Sequence, residues 1–505
     1  MDAGANLVRE PRFGPDGRIQ RISRRRRELC NKIAGMKLLP GFSLVSILFS
    51  AGCVGAAGLG AADQAQNGLP RAPHAQVTTL TQPGYFSEPS VAVNPKDPRQ
   101  VVVAYQVPAH IAYSRDAGVS WQHAPDLAPP RFKISGDVSV TYDRQGHAIL
   151  CYIAFNKLGT FNYWGHATNT NGIYIRRSMD GGQRWEPQAV TVSEQQKQPG
   201  IPMEDKPYIV ADTSQGRYAG NLYIAWTRWG LTDSRMVFTR STDDGKTWTA
   251  PKEIDQHPGL PRDDNGALEG FDGAVGADST LYAVWSQGNR IQFTVSRDGG
   301  KSFAKARDIL HTAPVMFAVQ DFERANGFPQ IAVDPRRGSY RHAHLYVTWS
   351  DYRNGDIDVF CSASSNGGRT WGPPVRVNND AVHDGSDQFF QWLSVDPVSG
   401  ALSVIFYDRR GDPENRKTRV TLARSTDGGK TFRNYAWSAT PFVATGDDFM
   451  GDYSGVASFN NRVYGAWTED TVPPPASPKQ GKPVADADKN HTIVRVGVAD
   501  FSGGQ

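Results

Sequence analysis

SRDAGVSW (Ser114–Trp121), SMDGGQRW (Ser178–Trp185), STDDGKTW (Ser241–Trp248), SRDGGKSF (Ser296–Phe303), SSNGGRTW (Ser364–Trp371) and STDGGKTF (Ser425–Phe432) are one octet written six times. Successive starts lie 64, 63, 55, 68 and 61 residues apart. One such octet is a weak signal. Six at near-constant spacing mark a repeat architecture, and a repeated element is scaffold before it is chemistry.

Each octet follows an alternating apolar run, as Arg235–Arg240 precedes Ser241, and a short strand-like segment usually follows it. That pattern predicts a hairpin turn between two antiparallel strands. The Asp or Asn side chain and the Ser hydroxyl can take up N–H groups of the turn. The fifth-position glycine suits a backbone at positive φ, and the closing aromatic can cap the apolar layer beneath. These carboxylates therefore read as turn builders, not as catalytic acids.

Between octets the chain divides into units of four strands. The first runs through Pro89–Val93, Val101–Tyr105 and His110–Tyr113, with a fourth strand after its octet. Later inner strands begin near Asp137, Pro207, Asp272, Pro329 and Gln391. A seventh unit (Tyr453–Ser458, Arg462–Trp467, Thr492–Ala499) has no octet and no fourth strand, while Gln76–Leu80 is a spare strand ahead of the first unit. Pairing the two closes a ring and removes an open edge. The expectation is an all-β chain: one β-propeller over residues 75–500, with four-stranded blades, seven favoured over six, and the N-terminal strand closing the last blade.

The octet is the Asp box, and the pattern resembles the BNR-repeat proteins of the sialidase (neuraminidase) superfamily over residues 75–500. The resemblance implies an exo-acting glycosidase with a Tyr nucleophile activated by Glu, an Asp acid/base and three Arg on the substrate carboxylate. Tyr453-Ser454 resembles the family's late Tyr-Ser motif, and Glu469 resembles the Glu that ends the next strand. A phenol needs such a neighbouring base to attack at neutral pH. Asp205 is the candidate acid/base, and Arg228, Arg353 and Arg409 are the candidate carboxylate ligands. The early Arg-Ile-Pro motif is Ser87-Glu88-Pro89 here, with Ser in place of the Arg. That departure argues against sialic acid as the substrate.

Loops on the face away from the boxes are where a site belongs. The starts of the inner strands are acidic: Glu88, Asp137, Glu204, Asp205, Glu269, Asp272, Asp387, Asp448 and Asp452. The loops between second and third strands add Arg228, Arg353, Arg409 and Arg410, and a long loop adds Phe161, Tyr163, Trp164 and His166. Trp164 and Asp452 join the arginines as candidate substrate-binding residues, because aromatic faces stack on sugar rings and Arg forks onto carboxylates. The same charges also read as structural ion pairs across the channel. No metal-ligand set, phosphate loop or cofactor motif is present in the sequence. Two functions stand side by side: a hydrolase acting on exposed glycans, and a non-catalytic propeller that binds a glycan or a protein.

Charge excludes one partner class. The chain carries 55 Lys+Arg against 51 Asp+Glu, but residues 1–62 hold 10 basic and 4 acidic residues, leaving 45 against 47 for the rest. The basic excess belongs to the leader, so no nucleic-acid partner is expected. Residues 1–35 are a polar basic leader that reads as untranslated, with Met36 as the start. Residues 36–62 read as a signal peptide, with a membrane anchor or lipidation at Cys53 as alternatives. An extracytoplasmic location follows, at the cell envelope or beyond. Cys151 and Cys361 fall on strands of different units and read as buried thiols.

Overall fold

The computed structural model describes residues 68–503, apart from 126, 128–131, 133, 157–169, 197–201, 262–265, 314, 316–317, 337–339, 439, 447–448 and 472–490. The leader, Trp164 with its loop, Asp448 and the Pro/Lys-rich stretch 473–489 of the seventh unit lie outside the described residues. Strands dominate, and one 3-10 turn at Tyr340–His342 is the helical element among the described residues.

Seven antiparallel sheets are built around inner strands at Ser87–Val93, Ile134–Tyr142, Met203–Ala211, Leu268–Val275, Gln330–Val333, Gln388–Val395 and Gly455–Phe459. Blades 1 to 6 each run outward in chain order through four strands, and blade 6 carries one extra pairing at Phe442–Val443. Blade 7 takes its outer strand, Gln76–Thr79, from the start of the domain; Gln76 pairs Val498 and Thr79 pairs Arg495. The chain therefore forms a seven-bladed β-propeller, and the six-bladed alternative is excluded.

Packing shows why the ring closes. Seven apolar clusters lie between neighbouring blades, each drawing side chains from two sheets. One of them joins blade 7 (Tyr464, Ala466, Val494, Val496) to blade 1 (Val101, Val103, Tyr105). An open array of seven sheets would have six such interfaces; the seventh exists because the ends meet.

The octets are the turns between third and fourth strands. In each, the Ser hydroxyl donates to the Asp or Asn and accepts the glycine N–H, at 2.8 Å from Gly118 to Ser114 and 2.9 Å from Gly182 to Ser178. The fifth-position glycine is needed twice over. Gly182 has φ +98, and a Cβ there would lie 2.4 Å from Val102 Cγ1 of the preceding blade. Gly368 likewise would meet Phe293 at 2.3 Å. The closing aromatics wedge into the same interfaces: Trp121, Trp185, Trp248, Phe303, Trp371 and Phe432 each pack on the cluster shared with the blade before. Cys151 and Cys361 are buried free thiols.

Candidate functional site

On the face away from the boxes the inner strands begin with an irregularity. Register breaks between Ser87 and Ser90, Gly136 and Ser139, Asp205 and Tyr208, Glu269 and Asp272, and Phe389 and Trp392. Each break holds one residue at positive φ: Glu88 (54°), Asp137 (45°), Lys206 (47°), Gly270 (72°) and Phe390 (52°). Such bulges re-aim a side chain, and they admit Pro into a sheet, as at Pro89 and Pro207. Phe328 and Tyr453 stand two residues ahead of the paired inner strands of blades 5 and 7. The axial mouth is thus ringed by residues that ordinary strand alternation would not place together.

Six blades meet there. Lys206 Nζ lies 3.9 Å from the centroid of the Tyr453 ring and 4.6 Å from that of Phe328. It is out of solvent and has no hydrogen-bond partner among the described residues. The backbone N–H of Lys206 donates to Asp137 (3.0 Å). Glu88 is 2% exposed; its carboxyl accepts from Gln106 Nε2 (2.7 Å) and the N–H of Asp452 (2.9 Å). Asp452 holds Arg324 by two bonds of 2.6 Å. The Tyr453 hydroxyl donates to the Val138 carbonyl (3.0 Å), and its ring tilts against Trp392, which meets Tyr208. Tyr208, Trp392 and Tyr453 form an aromatic floor, with Lys206 against the outer ring.

Electrostatics follow from burial and crowding. Glu88 is pushed well above the usual carboxyl range by burial first, then by the charges of Asp137 and Asp452; Lys206 and Arg324 only partly offset this. Burial and then the charges of Glu88, Asp137 and Asp452 push the Tyr453 phenol up as well. A phenol so placed keeps its proton, which is the reverse of what a nucleophile needs. Glu88, in contrast, is a carboxyl that holds its proton more tightly than an ordinary one, as a proton donor must.

Arg324 arrives on a strap. The segment 312–329, described at 312–313, 315 and 318–329, joins blade 4 to blade 5 and reaches over to blades 6 and 7. Val315, Val319, Phe322 and Ala325 enter the apolar cluster between those two blades. Phe322 meets Phe389 edge-on with centroids 4.9 Å apart, and Asp321 pairs with Arg416 at 2.6 Å. Asn326, 3% exposed, has neither amide atom hydrogen-bonded among the described residues.

The structure distributes the sequence candidates around the ring. Tyr453 and Asp452 lie at the axial mouth. Glu469 is held within blade 7 by Trp467 Nε1 (2.8 Å) and Arg495 (3.0 Å), and the carboxyl beside Tyr453 is Glu88. Asp205 is buried and accepts from Trp229 Nε1 (2.6 Å). Arg228 pairs with the buried Glu204 (2.6 Å), which also takes donors from Trp226 and Gln195. Arg353 pairs with Asp351 and lies over Phe360. Arg409 is fully buried, donating to the carbonyls of Asn415 (2.7 Å) and Gln320 (2.8 Å), and burial lowers its pKa to about 10. The three arginines sit on blades 3, 5 and 6, each bound to its own partners, and do not converge as a carboxylate clamp. Sequence reasoning passed over Lys206, Gln106 and Arg324. The Lys206-Pro207 pair at a strand start was a usable bulge signal; Arg324 in a long connection left none.

No protein-family model and no curated protein matches the sequence. Among solved structures, the chain is similar to a Hadza microbial sialidase (14% identity, 80% of this chain and 74% of that one, TM-score 0.43). It is also similar to the phage phi92 endosialidase (13%, 84% and 69%, TM-score 0.46). A protein of unknown function from Dyadobacter fermentans is similar too (12%, 85% and 99%, TM-score 0.42). Likeness at that level carries no information on activity. The chain's own strands define its class, a seven-bladed β-propeller of antiparallel four-stranded blades.

Proposed function

We propose that this chain is an extracytoplasmic, glycan-acting propeller whose chemistry sits at the axial mouth away from the Asp boxes. The observation that carries the reading is the Glu88–Asp137 carboxyl pair beside Lys206 and an aromatic floor. Two neighbouring carboxyl groups, one donating and one accepting a proton, are the usual equipment for cleaving a glycosidic bond. Glu88 gives its proton to the leaving oxygen as the C–O bond breaks. Asp137, half-buried, takes a proton from the water that adds to the sugar. Tyr453 serves as floor and positioning group, and the scattered arginines argue against sialic acid as the ligand of this mouth. The apolar segment within residues 36–62 supports export.

A panel of fluorogenic glycosides, a sialoside included, tests this. Turnover is expected on a non-sialoside. Glu88→Gln should cut kcat by about 10²- to 10⁴-fold, the range of general acid catalysis. Asp137→Asn should also shift the basic limb of the pH profile downward, because removing the Asp137 charge lowers the Glu88 pKa. Full activity in both variants would remove the pair from the mechanism.

One observation favours binding without catalysis. Asp452 is locked by Arg324 and Glu88 is almost wholly covered, so the charges also form a closed structural knot. Glycan-array binding with no turnover across the panel would establish that alternative.

A further inference from the structure

The residue before the box serine is arginine in blades 2, 3 and 6: Arg177, Arg240 and Arg424. The first two use the same atom in the same way. Arg177 Nη1 donates to the carbonyl of Asp244 (2.9 Å), and Arg240 Nη1 donates to that of Gly299 (3.1 Å). Asp244 and Gly299 are each the fourth residue of the box on the next blade. Arg424 faces blade 7, which has no box. The residue is 7% exposed, and its Nη1 has no hydrogen-bond partner among the described residues. A buried donor without an acceptor is costly, and native proteins leave few of them.

The strand opposite sharpens the difference. Arg177 is bonded across the hairpin by Glu186, from Nε at 2.9 Å. The residue paired with Arg424 in the same place is Arg433. Directly opposed side chains on one sheet face lie about 5 Å apart at Cβ, and like charges so placed repel. Arg424 and Arg433 both line a groove of about 320 Å³. Its other side is formed by the two ends that blade 7 leaves unjoined: Pro73 and His74 ahead of the outer strand, and Phe501 after the third. In the other six blades a box spans that gap.

The anions nearby are already engaged. Asp500 lines the groove, but Arg462 (2.6 Å) and the N–H of Ser502 (2.9 Å) hold its carboxylate. Asp396 attracts Arg424, yet its oxygens accept the N–H groups of Val398 (2.8 Å), Asn460 (3.1 Å) and Asn461 (2.5 Å). Arg424 Nη2 is fixed by Asn461 Oδ1 (2.7 Å), and the Phe501 ring lies over the guanidinium, its centroid 4.3 Å from Cζ.

We infer that this groove binds a tetrahedral oxyanion, the sulfate or phosphate group of a small ligand. One oxygen takes the place of the absent box carbonyl at Arg424 Nη1, and the negative charge relieves the repulsion between the two arginines. Planar guanidinium forks match such groups. Phe501, half-buried beyond the last strand, is the side chain that turns aside to admit it. The volume falls at the lower end of small-molecule sites, so there is room for more than a bare ion. The site shares no residue with the axial mouth.

Isothermal titration of the full chain in chloride buffer, with inorganic sulfate and with glucose 6-sulfate, tests the inference. Saturable binding at one site is expected. Tighter binding of the ester assigns the groove to a sulfated ligand; equal or tighter binding of the inorganic ion assigns it to the free anion. Arg433→Glu, which copies the Arg177–Glu186 pairing of blade 2, should weaken binding by at least about tenfold, roughly 1.4 kcal/mol. Thr426→Asp, which adds a carboxylate at a groove-lining box position occupied by Arg, Met, Thr or Ser in the six repeats, should do the same. Arg144→Glu, on blade 2, should leave binding unchanged. No saturable binding of either anion, binding that survives Arg433→Glu or Thr426→Asp, or an equal loss with Arg144→Glu would each overturn the inference.

Discussion

Asp272 and the box carboxylates sit in one molecule with opposite proton affinities. Burial alone would raise Asp427, but bonds from Thr431 and Ser425 carry it down to about 2. Asp272, at the bulge of blade 4, accepts from Ile331 N (2.7 Å) and Gly273 N (2.8 Å), yet burial outweighs both and raises it to about 7. The unfolded carboxyl titrates near 3.9 (about). Between about pH 4 and pH 7 the native state therefore holds more protons at Asp272 than the unfolded state does. Its contribution is fully present below that window and is lost as pH rises through 7. Asp272→Asn should flatten the fall of Tm between about pH 4 and 7, and lower Tm at the acid end, because the Asn Nδ2 cannot accept the second N–H. An unchanged slope in differential scanning calorimetry would remove Asp272 as its source. The glycines and serines of the octets were legible as turn residues from type alone. That Gly182 must also lack a Cβ because Val102 approaches it was not, since Val102 is 80 positions away in the chain and belongs to another blade.

At the scale of elements, six boxes serve seven blades for a topological reason. A box is the turn from third to fourth strand, and blade 7 has no such turn because its fourth strand comes from Gln76–Thr79. The strap at 312–329 is the element that the sequence concealed. It carries no octet and no alternation, and its purpose is visible only where Phe322 meets Phe389 and Arg324 meets Asp452. Removing one partner of a covered ion pair leaves the other charge uncompensated. Arg324→Ala should therefore cost about 3 kcal/mol of stability. It should also raise amide exchange in 318–329 more than in the inner strands. Uniform exchange across the chain would show that the strap is not held by this pair.

Closure is a property of the whole molecule. The outer strand of blade 7 and its partner Thr492–Asp500 lie more than 400 residues apart in sequence, as in the Thr79–Arg495 pairing, so the ring is completed by the least local contact in the fold. Deleting residues 76–80 would leave Thr492–Asp500 as an open edge, a template for pairing with other chains. The expected result is a lower Tm and oligomers in light scattering coupled to size exclusion; a monomer of unchanged Tm would refute the role of this strand. The sequence by itself determined the turns, the strands, their grouping into seven units and the spare strand that completes the last, because these rest on local backbone preference and short-range periodicity. Tertiary structure alone decided which charges share a site. Glu88, Lys206, Asp452 and Arg324 come from three blades and a connecting strap, and five bulges turn the mouth residues off strand alternation. Distances across a ring leave no trace in residue order.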